Sequence, residues 1–163
     1  MSEAPSAEWI RDALGLHPSL TCGFMAETYG QGPPAPPASR GAVFTFLITP
    51  ETPGHLHRIP SDQMYHHYLG DPLEVLLLHS DGRGELSVVG ADLAAGQRPQ
   101  LLIPGGTFHA GRVRDGGRYA LMGTSVWNRV EASGVVLGDL DQLTQSHPTM
   151  ASLLALFAAS AQL

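Results

Sequence analysis

The sequence predicts an all-β fold, a sandwich or barrel of short strands with a small helix at each end. Two observations carry this. Runs typical of strands recur between residues 43 and 126, and turn signals such as Ser80-Asp81-Gly82, Pro104-Gly105-Gly106 and Asp115-Gly116-Gly117 separate them. Many short strands at this spacing suit a sandwich or barrel, whereas a βαβ fold alternates strands with helices.

Taken in order, residues 7 to 15 place Trp9, Ile10, Ala13 and Leu14 at helical spacing and stop at Gly15, which predicts a short N-terminal helix. Gln31 to Ala38 holds four prolines and reads as an exposed loop, because proline lacks a backbone donor. The predicted strands are Val43–Ile48, His55–Ile59, Met64–Leu69, Leu73–His79, Glu85–Val89, Gln100–Ile103 and Tyr119–Val126. Leu140–Thr144 and Met150–Leu163 are rich in alanine and leucine, with Ser146-His147-Pro148-Thr149 between them, and suit one or two closing helices. One domain over 1–163 is expected, with a core at about 40–138, a helix and strand at 7–30, and a helical tail at 139–163.

Composition narrows the function. Hydrophobic residues make up 43% of the chain and charged residues 15%, which suits a compact globule rather than a disordered tail. The net charge is −6, only 9 cationic side chains are present, and all of them are arginine. A nucleic-acid partner is disfavoured, since phosphate binding needs a basic face. No apolar run reaches the ~18 residues of a membrane span, and Met1-Ser2-Glu3-Ala4-Pro5 lacks the basic and apolar regions of a signal peptide. Cys22 is the single cysteine, so no internal disulfide can form, and the expected compartment is the cytoplasm.

Chemistry concentrates in two segments: Gly54-His55-Leu56-His57 with Gln63 and Gly70, and Pro104-Gly105-Gly106-Thr107-Phe108-His109. Side chains alternate faces along a strand, so a strand at His55–Ile59 would point His55 and His57 to one side. Three imidazoles and an amide can satisfy a divalent transition ion, whereas magnesium and calcium prefer oxygen cages. Asp62, one residue before Gln63, stands at another permitted spacing for the fourth donor.

These segments resemble the cupin superfamily of small β-barrels. The chain is most similar to the subfamily DUF985, through Cys22-Gly23-Phe24-Met25-Ala26-Glu27-Thr28-Tyr29, Gly54-His55-Leu56-His57-Arg58-Ile59-Pro60-Ser61-Asp62-Gln63-Met64-Tyr65-His66, Gly70-Asp71-Pro72-Leu73-Glu74 and Gly96-Gln97-Arg98-Pro99-Gln100. The resemblance spans roughly residues 10 to 155 and implies a double-stranded β-helix, a jelly roll, that forms a homodimer. It also implies one metal ion (iron, manganese, zinc or nickel) held by His55, His57, Gln63 and His109. Two departures stand out: Gln63 occupies the usual glutamate position, and His109 occupies a position where many members carry glutamine. The resulting donor set is neutral, which leaves the ion a stronger Lewis acid.

Expected proton carriers are Glu27 and Tyr29, which share a face if their segment is a strand, and His67, inward with Tyr65 by register from Gln63. The plainer alternatives are pairing of Glu27 with Arg40, packing of Tyr29, and solvent exposure of His67. Arg58 should face away from His57 and form a salt bridge, and His17, His79 and His147 read as loop or surface residues. The expected function is metal-dependent isomerisation, epimerisation or a lyase step on a small polar metabolite. Dioxygenation and plain binding of a sugar or nucleotide are the alternatives. No Gly-x-Ser-x-Gly elbow, P-loop or dinucleotide fingerprint occurs.

Overall fold

The computed structural model describes residues 4–30, 41–128 and 130–161. The proline-rich segment Gln31–Ala38 and Arg40 lie outside the described residues. The chain forms helix α1 (Ala7–Ala13), then strands β1 (His17–Pro18), β2 (Phe24–Tyr29), β3 (Ala42–Ile48), β4 (His57–Arg58), β5 (Gln63–Gly70), β6 (Leu73–Leu78), β7 (Gly84–Val89), β8 (Gln100–Ile103), β9 (Phe108–Val113), β10 (Ala120–Val126) and β11 (Val136–Leu137), and closes with α2 (Leu140–Ser146) and α3 (Ala151–Ser160). Two antiparallel sheets face each other, one ordered β1-β2-β3-β10-β5-β8 and the other β11-β4-β9-β6-β7. This is the expected jelly-roll barrel.

The pattern of apolar residues follows from what covers each sheet face. Every residue of β6 is buried. Leu73, Val75 and Leu77 face the barrel core, while Leu76 and Leu78 face a second cluster with Leu143, Met150, Leu154 and Phe157 of the tail. A strand covered on both faces reads as a nearly continuous apolar run, and β6 does, with Glu74 as its one polar residue. The six-stranded sheet is covered at one end by α1, which seats Ile10 on Leu47, Tyr119 and Leu121. Helix α1 starts at Ser6, whose hydroxyl accepts from the Trp9 N–H at 3.2 Å. Asp139 caps α2 in the same way through Gln142 N–H at 2.9 Å.

Three elements depart from the sequence reading, each for a local reason. The expected strand at 55–59 shrinks to His57–Arg58, because Gly54 and His55 bond across to Gly111 and Thr21 instead of continuing a ladder. Strand β9 carries Ala110 and Gly111 where a strand signal would need bulk. An added Cβ at Gly111 would meet Leu73 Cδ2 at 2.9 Å, so glycine there is the fit to a close neighbour. His147 is buried rather than on the surface. It ends α2, its Nε2 donates to the His79 carbonyl at 2.9 Å, and so the tail is pinned to the end of β6.

Candidate functional site

The site begins with a cross-strand pair. His57 on β4 lies directly opposite His109 on β9, and residues opposed in an antiparallel ladder project to the same face. Their ring centroids are 4.2 Å apart and inclined at 55°. His57 Nδ1 donates to the His55 carbonyl at 2.7 Å, and His109 Nδ1 donates to the Thr107 carbonyl at 3.2 Å. A carbonyl only accepts, so each ring carries its proton on Nδ1 and keeps a lone pair on Nε2. Backbone partners that fix the tautomer in this way are the usual support of a metal-binding imidazole.

Gln63 reaches the pair from the other sheet. Its Nε2 lies 3.2 Å from His109 Nε2, and its Oε1 accepts from Thr124 Oγ1 at 3.2 Å. All four residues, His57, His109, Gln63 and Thr124, are buried. Burial disfavours charge, so both imidazoles sit below their ordinary range, His109 well below, with the neighbouring His57 adding to its shift. The cluster is neutral near pH 7, as the substitution of glutamine for a carboxylate implies.

His55 stands apart. It precedes β4, is exposed, and meets His57 through its backbone carbonyl, so strand alternation does not govern its ring. Its imidazole lies near enough to lower His57 further. Among the described residues no group of three or more His, Cys, Asp or Glu side chains comes together as a metal cage. The inward donors are two imidazoles and one amide. Asp62 points elsewhere: it is exposed, and its carboxylate accepts from Gly105 N–H at 2.7 Å, holding the turn that leads into β9.

His57 and Gln63, with Thr124, line a cavity of about 220 Å³ inside the barrel, and His109 lies behind them. Tyr65, Cys22 and Glu27 share its polar side with them. Met25, Phe44 and Val126 supply apolar wall from the strands, and Val130 and Val135 close it from the segment that follows β10. Tyr65 is buried, as its register predicts, with its ring edge on His109 and its hydroxyl 3.9 Å from Cys22 Sγ. Burial raises both the thiol and, more strongly, the phenol, so both stay protonated at neutral pH.

Of the three expected proton carriers, the structure brings only Glu27 to the cavity. A register shift in the β2–β3 ladder between Glu27 and Tyr29 breaks their common face. Tyr29 is 58% exposed on the outside of the barrel. His67 belongs to the inward row of β5, but beyond the cavity, where its Nε2 donates to the Asp71 carbonyl at 3.1 Å. Arg58 does face away from His57, and its guanidinium lies 4.8 Å above the Phe108 ring instead of forming a salt bridge. Sequence reasoning missed Thr124, Val130 and Val135. No local signal marks them, since Thr124 meets Gln63 only through the pairing of β10 with β5.

Known proteins share this fold. The family model for the cupin superfamily (DUF985) matches residues 7–128. A protein from Shewanella oneidensis superposes with a TM-score of 0.84 at 23% identity, covering 94% of this chain and 98% of its own. A hypothetical protein from Leishmania major gives 0.82 at 23% identity with the same coverage, 94% and 98%. Oxalate decarboxylase from Bacillus subtilis gives 0.57 at 12% identity, over 87% of this chain and 37% of its own. At these identities the likeness shows a shared fold. Comparison with curated proteins gave no match. No helix among the described residues is long and apolar enough to cross a membrane.

Proposed function

The chain belongs to the cupin superfamily, in the DUF985 family, and on that premise we propose that it holds one divalent transition ion beside the barrel cavity and acts there on a small molecule. One observation carries the reading: two buried imidazoles, paired across β4 and β9, have their Nδ1 protons committed to backbone carbonyls, which turns both Nε2 lone pairs outward, that of His109 onto the Gln63 amide. The donor chemistry fits iron, manganese, zinc or nickel, and His57, His109 and Gln63 would hold the ion, with His55 as the outer donor. Bound there, a divalent ion supplies a Lewis acid that polarises a carbonyl or hydroxyl oxygen.

The chain's own residues do the rest. Gln63 now turns its N–H to His109; a half-turn of the amide presents its carbonyl instead, and Thr124 can then accept from the amide N–H. Met25, Phe44 and Val126 keep water from the ligand's apolar side. Glu27 faces the same cavity and takes or returns the proton, which gives isomerase, epimerase or lyase chemistry.

Elemental analysis of natively purified protein tests the ion. We expect about one transition ion per chain, and a 10- to 100-fold loss of affinity in His57→Ala and in His109→Ala with the fold intact by circular dichroism. A native protein that neither carries such an ion nor takes one up removes the metal assignment. A second reading, a binding protein without turnover, draws on the placement of Tyr29 and His67 away from the cavity. It would be favoured if ligand stabilisation survived both histidine substitutions.

A further inference from the structure

Tyr65 is the most confined polar side chain on the cavity wall. It is 2% exposed, and its ring is braced by Phe46 at 5.0 Å and by His109 at 5.7 Å, edge-on to the imidazole. Such bracing fixes where the hydroxyl points. The partner found there is the Cys22 thiol, at 3.9 Å. A thiol is a weak donor and a weak acceptor, and this separation is long even for sulfur. The phenolic O–H therefore keeps most of its donor capacity while losing contact with bulk water. A buried donor in that state costs stability, and phenylalanine would fill the same space without the cost. Local rules broken in this way are characteristic of functional positions.

The rest of the wall says what the hydroxyl can serve. Met25, Phe44, Val126, Val130 and Val135 offer apolar surface. Gln63 and Thr124 already satisfy each other, and Gln63 also reaches His109. We propose that Tyr65 is a ligand-binding residue whose hydroxyl donates to an oxygen acceptor, a carbonyl, ether or hydroxyl, of a small molecule that is otherwise apolar. The cavity of about 220 Å³ confines that molecule below drug size. The inference rests on the cavity being the ligand site, but not on the ion.

Two probes of equal shape test it on the full chain in the presence of chelator: cyclopentanone, and methylenecyclopentane, in which a CH₂ group replaces the oxygen. Affinities are read from chemical-shift titrations of cavity-lining residues. The native protein should prefer the ketone about fivefold or more, the scale of one net hydrogen bond. Tyr65→Phe should erase the preference while melting no lower than the native protein, and Cys22→Ala should keep it. A preference that survives Tyr65→Phe, or a native protein with no preference, overturns the assignment. Because chelator is present, loss of the metal reading leaves this result standing, and loss of this result leaves the metal content unchanged.

Discussion

Two buried polar clusters flank β9, one on the outer face of its sheet and one between the two sheets, and they differ in charge. On the outer face, under α3, Glu74 and Arg112 pair at 2.9 Å with both side chains 8% exposed, Arg114 adds a second bond to Glu74 at 2.8 Å, and the Arg112 guanidinium lies 5.7 Å from the Phe157 ring centroid. On the inner face, His57, His109, Gln63, Thr124 and Tyr65 carry no charge at neutral pH and keep spare hydrogen-bonding capacity. In the outer cluster each charge has a partner, and the cluster fastens a helix. In the inner cluster, His57 and the Tyr65 hydroxyl border a cavity, and hydrogen-bonding capacity is left over. Burial alone does not distinguish architecture from function; the balance of donors and acceptors does.

The comparison can be broken most sharply from its outer side. Arg112→Met leaves Glu74 buried with Arg114 as its remaining partner. The expected cost is about 3 kcal/mol in urea unfolding, near the low end for a broken buried pair. Arg114 is 64% exposed, and Arg114→Ala should cost under about 1 kcal/mol. Equal losses from the two substitutions would show that the outer cluster is a surface network rather than a buried one.

On the inner side, Gln63→Glu supplies the carboxylate that the donor set lacks. Titration with zinc or manganese should then show roughly tenfold tighter binding, since one more charged donor meets the ion in a dry site. Weaker binding would mean that Thr124 and His109 select the amide for another purpose.

The smallest effect expected is on pH dependence. Both imidazoles have folded-state values below the ordinary 6.5 because burial penalises their charged forms. The unfolded chain therefore takes up protons first as pH falls. In chelated protein, stability should be full above about pH 6.5 and decline as pH drops from there through the folded values. His109→Gln should flatten that decline, read as melting temperature between pH 7 and pH 5. An unchanged slope would place the acid sensitivity in other groups.

Much of this was legible in the chain. Strands β3, β5, β6, β7, β8 and β10 announce themselves by apolar runs between glycine-rich turns, because a covered strand must be apolar wherever it is covered. Pro104-Gly105-Gly106 was readable as a turn and His109 as a candidate ligand, but the strand β9 that carries His109 was not. The register of Tyr65 followed from Gln63 by counting in twos. Counting failed where the ladder slips. The shift after Glu27 turns Tyr29 outward, and the early end of pairing before His57 leaves His55 off the strand.

By itself, then, the sequence determined a sandwich or barrel of short strands and a set of neutral side chains in two segments, since residue type and strand period are local properties, and the resemblance narrowed the barrel to a jelly roll. Only the tertiary structure decided which donors meet. His57 faces His109 because β4 pairs β9, and Gln63 reaches them because the two sheets close on each other. Thr124 holds the Gln63 amide because β10 lies beside β5. Those contacts join residues 46 to 61 positions apart, and no local signal in a chain specifies a partner at that distance.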